Sequence, residues 1–268
     1  MKIFVFAYDR FDTMTTSMFL DNEGIEHIVL CHSVDDRRRF IDAGRVKAEN
    51  ILCTANPKGL AYQRNSALDM MDDGEWAIFL VDDWIKTTEL RMYSEYHNAK
   101  LSAIPEDIKP DFKRICTMQR FVERCANNAR IAQDHGIYLV GYSLTDNDMF
   151  RKKHYSLGSL ADGRAWVIRK DVMRFDNETQ LIDDMCWTAK NIKRYGAVLV
   201  DNWLLTLCKR YTDGAFGSID ARMGQKMKEA KYLVETYPDY VAFAEKPGWP
   251  SGSHVKLRRT KTRKALTW

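Results

Sequence analysis

The chain opens on an unbroken apolar run, Ile3 to Ala7, that ends in Tyr8-Asp9-Arg10-Phe11-Asp12. Continuous apolarity, as opposed to alternation, marks a strand buried on both faces of a parallel sheet. A stretch with Met14, Met18, Phe19 and Leu20 at helical spacing follows, Gly24 stops it, and HIVLC at 27–31 reads as a second strand. This is a strand–helix–strand unit, whose crossover is right-handed in nearly all proteins. A second unit comes next: NILC at 50–53, the turn Asn56-Pro57-Lys58-Gly59, a helix over 61–71, and the strand AIFLV at 77–81, which stops at Asp82-Asp83.

The second half is less regular. Phe112, Ile115, Met118, Val122, Cys125 and Ala129 step by three and four and predict one long helix over 112–131, with Gly136 beyond its end. Further strands are expected at 137–142, 165–168 and 197–200. A helix from Gln180 to Tyr195 closes at Gly196, and another over 220–236 turns Met223, Met227, Ala230, Leu233 and Val234 inward. A short strand, YVAF, follows Tyr237-Pro238, and KPGWPSG links it to the end of the chain. Strands that first alternate with helices predict an α/β fold with a Rossmann-like, mostly parallel, doubly wound sheet and an elaborated C-terminal half. It is read as a single domain over 1–250 with a tail over 251–268.

Charge sharpens that division. Lys256, Arg258, Arg259, Lys261, Arg263 and Lys264 fall within nine residues, and no acidic residue follows position 250. With those six set aside, the 41 basic residues fall to 35 against 37 acidic ones, so the net charge of +4 belongs to the tail. A near-neutral body is not a basic wrapper of nucleic acid, whereas the cluster suits contacts to phosphates. The null alternative for the cluster is a solvated end. Six scattered cysteines without a CxxC pair, and an N-terminus without a secretory apolar segment, predict reduced thiols and a cytoplasmic protein. No run approaches the length of a spanning helix.

The candidate chemistry gathers at strand ends. Asp82 and Asp83 leave a buried strand at its carboxyl end, where open α/β sheets place their ligand crevices. Two hard carboxylates there suit Mg²⁺ or Mn²⁺ with substrate phosphates, and a plain polar turn is the bland alternative. Tyr8 and Arg10 end the first strand and face the same crevice. Arg64, in an early turn of the helix after Gly59, is placed to meet a diphosphate, or is an ordinary surface charge. Asp183 and Asp184 either complement a helix dipole or supply a general base. His254, in a Gly/Ser-flanked segment, is a candidate metal or phosphate ligand. No G-x-S-x-G elbow, Walker loop, H-E-x-x-H or zinc spacing is present.

Five stretches together resemble a known family: IFVFAYDRF, GLAYQRNSAL, FLVDDW, IDDMCWTAKNIKRYGAVLVDNW and DGAFGSIDARMGQKMKEAKYLVETYPDYV. In this order they are similar to the glycosyltransferases of GT-A fold associated with TET/JBP-type DNA-base hydroxylases, of the kind found in phage DNA modification. The family's three-Asp run reads Val81-Asp82-Asp83 here, and its Glu-Asp pair reads Asp183-Asp184. The resemblance implies a UDP-sugar donor, a Mn²⁺ or Mg²⁺ ion on Asp83 with Asp82, and donor contacts from Tyr8, Arg10, Arg64 and Asp82. It implies a base at Asp184 with Asp183 beside it, and double-stranded DNA bearing hydroxylated pyrimidines as acceptor, in a host cytoplasm. Lys256, Arg258, Arg259, Lys261, Arg263 and Lys264 would then contact DNA, and Trp249 is an aromatic candidate for assisting base flipping. Two other functions fit the same residues: a transferase acting on a glycan or lipid-linked acceptor, and an inactive DNA-binding module.

Overall fold

A computed structural model describes residues 1–7, 9–54, 57, 59–90, 113–143, 154–208, 219–245, 247–248 and 250–258. Ten strands form one sheet in the order β3-β2-β1-β4-β9-β7-β10-β5-β6, with β8 pairing β10 from off this path. The parallel half is β1 (Lys2–Phe6), β2 (Ile28–Cys31), β3 (Ile51–Cys53) and β4 (Trp76–Val81). β9 (Ala165–Arg169) runs against both β4 and β7 (Leu139–Ser143), and β10 (Leu199–Cys208) returns parallel to β7. The expected mostly parallel α/β sheet is therefore present, with one reversed strand at its centre.

Why the strands read as continuous apolar runs is visible in the packing. Ile3, Val5, Ile78 and Leu80 face one layer, where α1 (Thr16–Asn22), α2 (Val34–Asp42) and α4 (Met118–Asp134) supply Leu20, Phe40 and Phe121. Phe4, Phe6, Ala77 and Phe79 face the other, against Ala67 and Leu68 of α3 (Leu60–Asp69) and Trp187 and Ile192 of α5 (Asp183–Tyr195). Both faces are covered, so both sets of alternating side chains are apolar. A third cluster joins α5 to α6 (Ile219–Thr236) and to the hairpin of β11 (Val241–Phe243) and β12 (Val255–Leu257).

Three expectations need correction. The helix predicted over 112–131 begins at Met118: Thr117 accepts a hydrogen bond from the Arg120 N–H, and Glu23 accepts those of Met118 and Gln119. Residues 113–116 are instead strand β6, paired with β5 (Trp84–Leu90), which leaves Ile115 exposed. The strand expected at 197–200 continues to Cys208 because β5 takes up its second half in antiparallel register. The segment read as a tail starts inside a folded element. Val255 and Leu257 pack against the third cluster, and the Arg258 N–H donates to the Tyr240 carbonyl. β5, α2 and β8 (Tyr155–Leu157) carry mixed polar patterns and have no counterpart in the sequence reading.

Among the described residues no helix is long and apolar enough to cross a membrane.

Candidate active site

Strand polarity decides what meets at the carboxyl edge. β1 and β4 run parallel with Phe6 opposite Val81, so Arg10 and Asp82-Asp83 emerge side by side. Arg10 Nη1 lies 3.0 Å from Asp82 Oδ1 and 2.5 Å from Asp83 Oδ2. Both carboxylates are buried. Burial opposes the Arg10 charge, yet the two Asp side chains outweigh it and hold its pKa above the ordinary value. Arg10 thus cross-links the strand end that sequence reasoning singled out. Tyr8 lies outside the described residues.

Reversed β9 brings a segment that the sequence reading did not single out. With Ala165 opposite Leu80, the turn before β9 sits at the same edge. Val81 N–H donates to the Arg164 carbonyl at 3.1 Å, and Arg164 Nε donates to Asp162 Oδ1 at 2.5 Å. Arg164 Nη1 also donates to the Thr206 carbonyl near the end of β10 at 2.9 Å, which fixes this turn against that strand. The available signal was Asp162-Gly163, a turn dipeptide directly before an apolar run.

α5 delivers the acidic pair. Its first N–H groups have no side-chain cap of their own. Glu229, buried on α6, accepts from the Leu181 and Ile182 N–H groups at 2.8 and 3.1 Å. Asp183 and Asp184 then open the helix with different environments. Asp183 pairs with Arg64 Nη1. The carboxyl of Asp184 accepts one hydrogen bond, from the adjacent Met185 N–H at 2.7 Å. Burial pushes the Asp184 carboxyl up to about 7, and the charge of Asp162 adds to the rise. The Met185 N–H, Arg64 and Lys226 act in the opposite sense. A half-buried carboxyl poised near neutrality is the form in which a carboxylate serves as general base.

Two expected ligand contacts take a different form. Arg64 is fully buried: its Nη2 donates to the Gly163 carbonyl at 3.1 Å, and its guanidinium lies over the Trp166 ring at 4.2 Å. Desolvation lowers its pKa to about 9, against the pull of Asp184 and Asp162. The side chain is spent on holding α3, the turn before β9 and α5 together, so it positions the acids and does not reach a diphosphate. The start of α3 is covered as well. Gly59 precedes it at φ +152, a Cβ there would lie 2.8 Å from Gln180 Oε1, and that oxygen accepts the Ala61 N–H at 3.4 Å.

His254 is the second correction. Its Nε2 lies 3.2 Å from Lys226 Nζ and its Nδ1 2.9 Å from Ser253 Oγ. Both ring nitrogens are engaged, so in this arrangement neither presents a lone pair to a metal. The charge of Lys226 acts on Asp184, which ties His254 to the acid end of the site.

Asp82 and Asp83 are the residues with the right donors for a hard divalent ion. Among the described residues there is no group of three or more His, Cys, Asp or Glu side chains arranged to hold a metal. Two carboxylates match an ion such as Mg²⁺ that keeps waters and takes phosphate oxygens, and Arg10 occupies one oxygen of each. Of the six basic residues near the C-terminus, Lys256 is exposed on β12 and Arg258 follows it. Arg259, Lys261, Arg263 and Lys264, like Trp249, lie outside the described residues.

No protein-family model matches the chain, and no curated protein matches it.

Proposed function

We propose that the chain is a nucleotide-sugar-dependent glycosyltransferase of the GT-A type. It would transfer a sugar from a UDP-sugar to the hydroxyl of a modified pyrimidine in DNA, of the 5-hydroxymethylcytosine or 5-hydroxycytosine/uracil kind. The observation that carries this reading is the meeting, at one sheet edge, of a buried Asp82-Asp83 pair bridged by Arg10 with a half-buried acid, Asp184, held near neutrality. Transfer needs both parts. The departing nucleoside diphosphate gathers negative charge, and the attacking hydroxyl must lose a proton.

Asp184 takes that proton in this scheme. Among the described residues only the Met185 N–H donates to it, and its raised pKa makes it a stronger base than an ordinary Asp. Asp183 and Arg64 neutralise one another and fix the start of α5, which fixes Asp184. Arg10 and Arg164 line the diphosphate side. Asp83 with Asp82 would hold Mn²⁺ or Mg²⁺, which when bound neutralises charge on the leaving diphosphate. A base on the incoming hydroxyl corresponds to a single displacement with inversion.

The basic run that begins at Lys256 favours DNA as the acceptor over a glycan or lipid-linked sugar, since clustered cations bind phosphates without reading sequence. The test is direct. The protein is incubated with Mn²⁺, a panel of UDP-sugars, and DNA carrying ordinary, 5-hydroxymethylated or 5-hydroxylated pyrimidines, and the digested nucleosides are weighed. A hexose or pentose adduct on a hydroxylated base is expected. UDP release without an adduct overturns the DNA acceptor in favour of a glycan or lipid-linked one. No UDP release with any donor overturns the transferase and leaves a DNA-binding module.

A further inference from the structure

Asp162 lies between the two halves of the site. On one side is the end of β4 that leads into Asp82 and Asp83, where the Val81 N–H donates to the carbonyl of Arg164, two residues beyond Asp162. On the other is Asp184, whose Cβ lies 3.4 Å from where a Cβ on Gly163, next to Asp162, would stand, and whose carboxyl the Asp162 charge pushes up. In the transferase reading the first side holds the diphosphate and the second activates the acceptor, so the group being transferred passes between them.

The turn that carries Asp162 is held from every side. Ala161 N–H donates to Thr188 Oγ1 at 3.2 Å, and Trp166 Nε1 donates to the Ala161 carbonyl at 2.9 Å. Arg64 takes the Gly163 carbonyl, and Val81 takes that of Arg164. Gly163 packs so closely that a Cβ would stand 3.3 Å from Arg64 Nη2 and 3.4 Å from Asp184 Cβ. A side chain on this turn is therefore preorganised, as a specificity contact must be.

Its two oxygens are used unequally. Oδ1 accepts from both the Arg164 N–H, at 3.1 Å, and Arg164 Nε. Among the described residues nothing donates to Oδ2, and the side chain keeps 21% of its surface open to solvent. A charged acceptor with one oxygen anchored and the other presented is suited to a hydroxyl donor.

The geometry points to Asp162 Oδ2 as the acceptor for a hydroxyl of the sugar being transferred, and hence as a determinant of donor choice, an inference that rests on the transferase reading. Asp162 is not assigned a proton-transfer step.

The test measures binding of UDP, of UDP-glucose, UDP-galactose and UDP-xylose, and of their monodeoxy analogues to the full chain and to Asp162→Asn and Asp162→Ala. Asp162→Asn keeps an oxygen for the Arg164 N–H, so a native urea midpoint confirms that it folds. Both variants are expected to bind UDP within about twofold of the parent and the preferred UDP-sugar on the order of tenfold more weakly, as for loss of a hydrogen bond to a charged group. One monodeoxy donor, penalised by the parent, should carry no penalty in Asp162→Ala. Unaltered discrimination among sugars in both variants overturns the inference while the transferase reading stands. A parent that binds neither UDP nor any UDP-sugar overturns that reading, and the inference falls with it.

Discussion

Arg64 lies 1% exposed beneath the Trp166 ring and pairs with Asp183, joining α3 to the first residue of α5. A buried ion pair is costly to break on one side, because the surviving charge is left without its partner. Arg64→Ala is expected to lower stability by about 3–5 kcal/mol, read as a shifted urea midpoint at unchanged slope. Arg64→Lys should recover only part of this, since an ammonium cannot serve Asp183 and the Gly163 carbonyl with the same fork. Equal stability of Arg64→Ala and the parent would contradict the structural role.

Asp184 gives the site its pH dependence. An unfolded Asp titrates at its ordinary value of 3.8, and the folded carboxyl is raised to about 7. Between those values the folded state binds the additional proton, so this group makes stability fall as pH rises from about 4 to about 7 and level off above. Asp184→Asn removes that slope, and at pH 8 the variant is expected to be more stable than the parent while transferring no sugar. Parent turnover should rise through about pH 7 as the carboxyl ionises. Denaturation curves at pH 5 and 8, with a pH–rate profile, check both. A parent whose stability does not decline across this interval would contradict the raised value.

Much of this arrangement was legible in the chain. The apolar runs at Ile3 and Ala77, and the polar residues that end them, located the sheet edge where Arg10 meets Asp82 and Asp83, because burial on both faces and termination at one edge leave a strong one-dimensional mark. The partners of those residues were not legible. Asp162 reaches the site only because β9 is reversed between β4 and β7, and strand polarity leaves no trace in composition. Arg64 stands at a helical position whose spacing gives equal support to a surface and a buried charge. Its aromatic neighbours Phe6, Trp166 and Phe175 come from three distant segments. The cap that Glu229 provides to α5 spans 47 residues or more, beyond any local capping signature.

If a divalent ion binds Asp82 and Asp83, Arg10 is its competitor for one oxygen of each. Its Nη1 bridges Asp82 and Asp83, so an ion entering there must share or displace it. Arg10→Ala removes a cation from beside two buried carboxylates and is expected to lower the melting temperature in chelator. Added Mn²⁺ should restore it by a larger shift than it gives the parent, because ligand binding stabilises in proportion to its affinity for the folded state. Thermal melts across a Mn²⁺ series read the difference. A Mn²⁺ shift no larger in Arg10→Ala than in the parent would exclude Asp82-Asp83 as the ion's ligands.

A fully buried acid, Asp201, behaves in the opposite sense to Asp184. Asp201 accepts hydrogen bonds from Arg124 Nη2 at 2.7 Å, Asn128 Nδ2 at 2.9 Å and the Trp203 N–H, with His154 beside it. Burial alone would raise its pKa. The His154 hydrogen bond and the Arg124 charge prevail and hold it well below the ordinary carboxylate value. With the folded value depressed, its contribution to stability is present above about pH 4 and is lost as pH falls further. Asp201→Asn takes from Arg124 the nearer of its two carboxylates, Glu89 Oε1 remaining 3.7 Å from Nε, and is expected to cost several kcal/mol at neutral pH, with a smaller difference from the parent in acid. Urea titrations at pH 7 and pH 3 decide this, and an equal difference at both would remove Asp201 from the acid sensitivity.

The basic C-terminal residues call for charge substitution, not truncation. Cutting after Gly252 would remove β12, with Val255 and Leu257 from the third apolar cluster and the bond from the Arg258 N–H to Tyr240. Any loss of DNA binding would then be confounded with loss of the hairpin. Lys256 is exposed on β12 and makes its strand contacts through the backbone, so Lys256→Gln spares the fold. Combined with Gln at Arg259, Lys261, Arg263 and Lys264, it removes five cations. If these residues contact duplex phosphates, each lost contact lowers the slope of log affinity against log salt by about 0.9. The quintuple variant is therefore expected to bind DNA more weakly at low salt, to lose less on going from 50 to 200 mM salt, and to keep the parent's urea midpoint and UDP-sugar affinity. An unchanged salt slope in the presence of a native midpoint would take the basic cluster out of acceptor binding and move the DNA contacts to the crevice itself.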